Sequence, residues 1–387
     1  MKRKRHNDDD KEEDRLSDLS DCLLLCILSF LNAKQAVQTC ILSTRWKNLW
    51  KHLSNLLLHS SYFDSMDGFT EFIAQILSLH DHSTTLYSLK FYSDGMVQPD
   101  LLQRILKHVV SHNVQRLQLN FRYYIESIPS CIFSCYTLTS LRLYVSDRKA
   151  TILFPDSLNL PALTNMRLHN FVFRSKKDGQ AEPFSALKKL NSLTIRFCKV
   201  LNGQNLCISS ITLANLTIQT YHKLNYREIE LYTPSLSTFA YAGTPKAKLC
   251  RSHLCSIKHV TIDAYMCVNN AEPPSNLLSW LKEFTEIKSL TVTLTTLQVL
   301  SLVPNLLKDK FHSLRNLKTL QVKMEGVSSG LSISLLHARF AELFVKCQED
   351  IAKFQEEIFK EGSLSIPDGI VDFLLQNSPS AKVHIIN

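Results

Sequence analysis

Apolar residues recur with helical spacing between Asp14 and Trp50. The first segment carries apolar side chains along one side of a helix, at Leu19, Leu23, Leu24, Ile27, Leu28 and Leu31. A second segment, from Lys34 to Thr39, is too short to be a stable helix alone. Ser43 can cap a third helix, whose apolar side chains are Trp46, Leu49, Trp50 and Leu53. The pattern predicts a three-helix unit of about 40 residues, which needs a neighbouring structure for support.

The rest of the chain has a different pattern, in which the spacing L-x-x-L-x-L recurs. Its triplets begin roughly 20 to 30 residues apart, which is the period of leucine-rich repeats. The first positions are Leu86, Val114, Leu138, Leu163, Leu190, Leu213, Leu236, Ile257, Ile287 and Leu317. In an extended strand the last two apolar residues of a triplet point the same way, into a core that stacked units share. An ordinary α/β domain is the alternative, but ten units in one register favour a solenoid with a parallel β-sheet.

Polar residues separate the apolar positions of each strand, and we expect them on the concave face of the array. They vary from unit to unit, and arginine recurs at similar positions: Arg116, Arg142, Arg167 and Arg196. These four arginines are the candidate target-binding residues. A surface of this kind can bind a partner of irregular shape, including one with acidic groups.

The first segment also resembles a known family. Asp14-Arg15-Leu16-Ser17 is followed in order by Ile27-Leu28-Ser29-Phe30-Leu31, Leu42-Ser43, Arg45-Trp46 and Leu49-Trp50. These motifs resemble the F-box of plant F-box proteins, whose helices bind a Skp-type adaptor that bridges to a cullin scaffold and its RING subunit. The resemblance implies that the adaptor is bound by Leu16, Leu19, Leu24, Ile27, Leu28, Leu31, Val37, Leu42, Trp46, Leu49 and Trp50.

Two residues depart from the pattern of that family. The family usually has a Leu-Pro pair near the start of the F-box and a proline after Phe-Leu. In this chain Ser20 follows Leu19 and Asn32 follows Leu31. Because serine and asparagine are themselves good N-caps, we expect the geometry of both helix starts to survive, with somewhat weaker adaptor docking.

The whole chain resembles plant F-box proteins that carry irregular leucine-rich repeats. We expect a disordered charged tail at residues 1–13, an F-box at 14–55, repeats at 56–325 and a C-terminal unit at 326–387. In that last unit a long amphipathic helix, from Leu335 to Phe359, would cap the final open repeat, and a short helix and a strand follow it. The predicted fold class is α/β: a three-helix F-box, a leucine-rich-repeat solenoid with its parallel sheet on the concave face, and a helical C-terminal cap.

Composition narrows the class of protein. Of 387 residues, 45% are hydrophobic and 20% are charged, which excludes disorder throughout. The net charge of +9 could indicate nucleic acid binding, but the basic residues are scattered singly apart from Lys2 to Arg5. Eleven cysteines and a charged N-terminus without a secretory apolar core predict a reducing compartment, the nucleus or the cytoplasm. No apolar stretch approaches the length of a membrane span.

Motifs of enzymes and metal sites do not occur in the sequence. GxGxxG, Walker, HExxH and GxSxG patterns are absent, so neither catalysis nor a cofactor is expected. The spacing of Cys250, His253, Cys255 and His259 fits no structural zinc pattern, and no metal site is predicted. Trp46 and Trp50 could form a stacking platform for bases, but burial against neighbouring helices is favoured.

These observations lead to two hypotheses of function. The first is a non-catalytic substrate-recognition subunit of an SCF-type cullin-RING ubiquitin ligase, which holds an unknown target protein close to the ubiquitin carrier. The second is a leucine-rich-repeat binding protein that acts outside a ligase, with a basic concave face for nucleic acid. A membrane partner is not expected under either hypothesis.

Overall fold

The computed structural model describes most of the chain between residues 16 and 386. The described residues are 16, 18–81, 83–122, 128–146, 152–220, 226–250, 254–265, 275–303, 306–308, 311, 313–324 and 365–386. The predicted charged tail at 1–13 and the predicted helix between Leu335 and Phe359 lie outside these residues. Within them, no helix has the length and apolar composition needed to cross a membrane.

The described elements are helices near the two ends of the chain and a long succession of strands between them. The helices are α1 (Asp21–Leu28), α2 (Ala33–Gln38), α3 (Met66–Leu79), α4 (Pro99–Ser111), α5 (Ser275–Glu283), α6 (Leu294–Ser301) and α7 (Ile370–Leu375). The strands are β1 (Asn55–His59), β2 (Ser88–Met96), β3 (Arg116–Arg122), β4 (Ser140–Val145), β5 (Ile152–Leu153), β6 (Asn165–His169), β7 (Phe171–Arg174), β8 (Gln180–Ala181), β9 (Ser192–Arg196), β10 (Lys199–Leu201), β11 (Asn205–Ser209), β12 (Asn215–Gln219), β13 (Glu228–Tyr232), β14 (Thr238–Gly243), β15 (Lys248–Cys250), β16 (His259–Ala264), β17 (Ser289–Thr293), β18 (Thr319–Lys323) and β19 (Lys382–Ile386).

One parallel sheet runs through the whole array and confirms the predicted solenoid. Its twelve strands lie in the order β1-β2-β3-β4-β6-β9-β12-β14-β16-β17-β18-β19, which is also their order along the chain. Every neighbouring pair is parallel. Each repeat therefore adds one strand, and each connection must return across the far side of the core.

The apolar triplets set the register of this sheet. Leu89, Leu117, Leu141 and Met166 are partners in successive strands. All ten predicted triplets are buried at every position, with no more than 4% of any side chain exposed. A slip of one residue would turn each apolar set toward solvent, so this register is strongly specified.

The array begins earlier and ends later than the ten predicted units. Leu53, Leu56 and Leu58 form a further buried triplet in and before β1, which pairs with β2. At the other end, β19 pairs with β18 as the last strand. The segment that leaves the N-terminal helical unit therefore enters the sheet directly, without a linker.

The connections on the far side of the core change character along the array. Helices α3 and α4 pack together in the first repeats, and α5 and α6 belong to later ones. Between them lie two smaller sheets of short parallel strands, in the orders β10-β7-β5 and β15-β13-β11-β8. Each repeat thus contributes the same kind of strand to the long sheet, whereas the segment that connects it to the next repeat varies in structure.

The N-terminal unit departs from the predicted three helices. Its third segment is a series of turns followed by a 3-10 helix at Leu49–His52, and Ser43 is not its N-cap. The Trp46 amide donates to the Ser43 carbonyl at 3.1 Å, and the Leu49 amide donates to the Trp46 carbonyl at 3.3 Å. Such turns have three residues each and place Trp46 and Leu49 on one face, as an α-helix nearly would, so the spacing of these two residues does not distinguish the two conformations.

A glycine at the end of β14 provides a test of the packing between repeats. Gly243 has φ +140°, and a Cβ there would meet the side chain of Thr220 and lie 2.8 Å from its carbonyl oxygen. Gly243→Ala is expected to lower the free energy of unfolding by about 2–5 kcal/mol, because it adds both strain and overpacking. Denaturant unfolding monitored by circular dichroism measures the change.

Gly179→Ala is the matched control. Gly179 also has a positive φ, +79°, but a Cβ there meets nothing within 4 Å. Gly179→Ala should lower the free energy of unfolding only by the backbone strain, about 1–2 kcal/mol. Equal losses in the two variants would contradict the close approach of β14 to the repeat before it.

Candidate functional site

The two helix starts that depart from the family pattern differ in how they are capped. The side chain of Asn32 accepts a hydrogen bond from the Gln35 amide at 2.9 Å, and the Gln35 side chain accepts one from the Asn32 amide at 3.3 Å. The Ser20 side chain makes no capping bond, so that part of the prediction was wrong. The φ angles of Ser20 and Asn32, −66° and −73°, lie in the range of proline, and the expected geometry of both starts is present.

An arginine in the turns after α2 binds the start of α1. Arg45 Nε donates to Asp21 Oδ1 at 2.9 Å, and the same guanidinium also donates to the Leu19 carbonyl. Asp21 lies in the first turn of α1, where a carboxylate also favours the helix dipole. An exposed ion pair contributes little to stability alone, but here it positions the turns after α2 against the start of α1.

Five of the side chains predicted to bind an adaptor lie in the chain's own core. Leu24 and Leu28 are fully buried, and Trp46, Leu49 and Trp50 are each 6% exposed. α1 packs against the 3-10 helix, and α2 packs against the 3-10 helix and the first strand, so these five side chains are occupied by contacts within the chain. Leu19, Leu31 and Val37 are partly buried against the same core.

A second apolar set faces solvent. On α1 and just after it, Leu23, Ile27 and Phe30 follow at i, i+4 and i+7 and are 52%, 40% and 84% exposed. Ile41 and Leu42, which follow α2, are 84% and 59% exposed, and Leu16 before α1 is also exposed. Of these residues, the prediction named only Leu16, Ile27 and Leu42.

The sequence did contain a signal for this second set. Between Cys22 and Leu28 every residue of α1 is apolar, so the helix has no polar face. A helix that is apolar all round is buried on all sides in its working state. One side of α1 packs against the chain, and the other side remains available for a partner.

The concave face of the sheet presents polar side chains in rows that cross the strands. The middle row consists of register partners in successive strands: Lys90, Gln118, Arg142, Arg167 and Thr194. A cavity of about 490 Å3 lies over the first strands of this row. Lys90, Arg116, Arg142 and Arg167 line it, together with hydroxyl and amide side chains such as those of Ser140, Thr164 and Asn165. We call this cavity the basic groove.

Positive charges crowd the basic groove. Burial lowers the pKa of Arg142 from its usual value, and the neighbouring charges of Arg167 and Arg116 lower it further. The Arg116 guanidinium lies 5.0 Å from the centre of the Tyr87 ring, a cation–π contact. Within the described parts of the chain, none of the salt bridges joins these arginines or Lys90 to a carboxylate. An anionic group placed here would relieve the repulsion.

The structure brings together three of the four predicted arginines. Arg116, Arg142 and Arg167 line the basic groove. Arg196 instead pairs in register with His169, which lies two residues beyond Arg167 along its strand. Lys90 was missed, since its position beside the arginines depends on the register of β2.

An aromatic row borders the basic groove and was also missed. His59 and Tyr92 are register partners and stack with 5.1 Å between ring centres. Tyr144 and His169, again register partners, stack at 3.8 Å. These residues follow the apolar triplets in sequence, and only the strand pairing shows that they form one row.

Comparison with known proteins identifies the N-terminal unit. Residues 16–58 match the family model of the F-box domain. The N-terminal domain is an F-box. An F-box protein of Arabidopsis thaliana is 25% identical to this chain over 382 residues, which are 95% of the chain and 90% of the relative.

Other relatives combine an F-box with repeats. F-box/LRR-repeat protein 13 of Arabidopsis thaliana is 33% identical over 163 residues, 41% of this chain and 35% of the relative. An F-box/FBD/LRR-repeat protein of the same plant is 26% identical over 310 residues, 75% of the chain and 63% of the relative. The match thus spans about a third of the first of these relatives. F-box proteins are generally non-catalytic substrate adaptors of SCF ubiquitin ligases.

The different capping of the two F-box helices gives a direct prediction. Asn32→Ala removes, at a buried position, the side-chain oxygen that accepts from the Gln35 amide, and is expected to lower the free energy of unfolding by about 1 kcal/mol. Ser20→Ala removes no capping bond and should change it by less than about 0.5 kcal/mol. Urea unfolding of the two variants measures the difference, and an equal effect would contradict the assignment of the cap to Asn32.

Proposed function

We propose that this chain is a substrate-recognition subunit of an SCF-type cullin-RING ubiquitin ligase. Its F-box binds a Skp-type adaptor, which links it to a cullin and a RING subunit, and its concave face binds a target protein. The observation that carries the proposal is the exposed apolar set of the F-box, Leu23, Ile27 and Phe30 on one side, with Ile41 and Leu42 after α2.

The two sides of α1 support this division of roles. Leu24 and Leu28 are buried in the chain, whereas Leu23, Ile27 and Phe30 leave a continuous helical stripe in water. Exposed apolar patches of this kind mark interaction surfaces. Full burial of such a side chain is worth about 1.5–3 kcal/mol, so three of them supply much of the binding energy of a stable complex.

The mechanism requires no bond chemistry in this chain. The 3-10 helix of the F-box ends at His52, and β1, which begins at Asn55, pairs with β2. The elements that carry the adaptor surface and the concave face therefore pack on one continuous core, with no flexible linker between them. A target bound to the concave face is held at a fixed position relative to the ligase, which raises the effective concentration of its lysines near the ubiquitin carrier.

The basic groove indicates the chemistry of the target. Arg116, Arg142 and Arg167 present guanidinium groups whose planar geometry suits carboxylate and phosphate oxygens. Hydroxyl groups of Ser140 and Thr164 line the same cavity and can donate further hydrogen bonds. We infer that the target presents an acidic segment to this groove, with aromatic or apolar side chains beside it for the row of Tyr92 and Tyr144.

Substitution of the exposed stripe tests the F-box part of the proposal. The double variant Leu23→Asp and Phe30→Asp places charges on the surface proposed to bind the adaptor, without touching the core. We expect co-expressed Skp-type adaptor to no longer co-purify, with the denaturant midpoint of the chain unchanged. Ile211→Asp, at a residue of the repeats that is 71% exposed, is the matched control and should retain the adaptor.

An unchanged yield of adaptor with the double variant would refute adaptor binding through this stripe. Leu28→Asp is not a suitable test. Because Leu28 is fully buried, a charge there would unfold the F-box whether or not an adaptor binds.

Charge reversal in the basic groove tests the target surface. In proximity labelling, targets are captured with the chain that carries Leu23→Asp and Phe30→Asp. Adding Arg142→Glu with Arg167→Glu should abolish this capture, because an acidic segment would then be repelled. Lys188→Glu with Lys189→Glu, at two exposed positions outside the groove, is the control with the same charge change. In a chain whose exposed stripe is intact, both pairs of substitutions should leave adaptor binding unchanged.

A second function is tested by the same variants. A basic row beside an aromatic row is also the arrangement with which proteins bind single-stranded nucleic acid. If the groove binds nucleic acid, affinity for a labelled oligonucleotide must fall steeply with salt, since phosphate contacts release counterions. An affinity that does not change with salt would exclude nucleic acid binding. Target labelling that is unaffected by charge reversal would exclude binding of an acidic target in the basic groove.

A further inference from the structure

Three histidines from two elements meet in the interior of the first repeats. His80 directly follows α3, His108 lies in the last turn of α4, and His112 directly follows α4. They are 1%, 6% and 3% exposed. One ring nitrogen from each lies within 4.8 Å of the other two. The rings of His108 and His112 stack at 3.7 Å, and each lies 5.4 Å from the ring of His80.

Backbone carbonyls fix the proton positions of two of these rings. His80 Nε2 lies 2.9 Å from the carbonyl oxygen of Leu53, a contact that requires a proton on Nε2. Its Nδ1 then carries a lone pair, and this atom is buried without a hydrogen-bond partner. His112 Nδ1 lies 3.0 Å from the His108 carbonyl oxygen, so its lone pair is on Nε2.

Two of the three rings make the carbonyl contact that metal-binding histidines make. A ligating histidine almost always donates its second ring nitrogen to a carbonyl or carboxylate, which orients the ring and directs the lone pair at the metal. His108 and His112 are four residues apart, the spacing that places two ligands on one face of a helix.

We propose that His80, His108 and His112 form a binding site for one transition-metal ion, with Zn²⁺ the best fit. Three imidazole nitrogens without a carboxylate suit zinc and exclude Mg²⁺ and Ca²⁺, which require oxygen ligands. The nearby Asp81 carboxylate is engaged by His52 at 2.9 Å and by the Ser83 amide at 2.9 Å. With Zn–N bonds of about 2.0–2.1 Å, the three rings must close by about 1–1.5 Å around the ion. The stacked rings of His108 and His112 must also rotate so that both lone pairs point at it.

The position of the site gives the ion a structural role. It would join the end of α3 to the end of α4, and through His80 it would hold the carbonyl of Leu53, where the F-box passes into β1. A bound ion would therefore fix the F-box relative to the first two repeats. The site does not depend on the proposed ligase function.

Metal content and thermal stability of the full-length chain test the proposal. The chain, purified without a polyhistidine tag, is treated with chelator, dialysed, reloaded with Zn²⁺ or Mg²⁺ and freed of excess ion. We expect one zinc ion per chain by mass spectrometry and a Tm raised by several degrees with Zn²⁺ but not with Mg²⁺. His80→Gln and His108→Gln should each lose the ion and the rise in Tm. His384→Gln, at an exposed position of β19, is the matched control and should lose neither.

Cobalt distinguishes this site from the cysteines of the chain. Co²⁺ bound by three histidines gives visible absorption bands without the near-ultraviolet charge-transfer bands of cobalt thiolates, and these bands should be absent from His108→Gln. Zinc retained equally by His108→Gln, or thiolate bands in place of histidine bands, would overturn the proposal. If a variant fails to fold, the wild-type chain still decides, because no bound zinc and no change of Tm on chelation also overturn it.

Discussion

The stability of this molecule depends on the stacking of apolar residues between parallel strands. Leu89, Leu117 and Leu141 lie opposite one another in successive strands, and no single repeat could cover them alone. The F-box depends on the same stacking, because Leu53 and Leu56 extend its small core into the sheet. This constraint supplies the support that a helical unit of about 40 residues requires. It also holds the outward-facing side chains of each strand at fixed positions.

The same constraint explains why the two proposed partner surfaces can act together. α1 is apolar on all sides and packs only one of them against the chain, while the concave face collects positive charge over its first strands. Both surfaces are attached to one core, so neither can move far without the other. The histidines beneath the first repeats lie where these two parts meet.

Much of the fold could be predicted because its signals are local. Each L-x-x-L-x-L triplet sets the inward face of its own strand, and ten of them were found. The triplet of Leu53, Leu56 and Leu58 was missed because Leu53 was placed in the third helix. The third F-box segment was predicted wrongly, since Trp46 and Leu49 have a spacing that turns of three residues also satisfy. Pairings across strands and helices could not be predicted: Lys90 beside Arg142, or His80 beside His108, depends on register and packing that no single segment specifies. Phe30 was overlooked because a resemblance identifies a domain without separating its inward side chains from its outward ones.

The four concave arginines do not lie along one strand or one row. From Arg116 on β3 to Arg196 on β9, the line that joins them crosses three strand spacings and advances four residues along the strand direction. With strands about 4.8 Å apart and a rise of about 3.3 Å per residue, this line is roughly 20 Å long and oblique to every strand. An extended peptide of about six residues has that length. A partner that contacted all four arginines would therefore lie diagonally across the sheet, in an orientation that distinguishes its two ends.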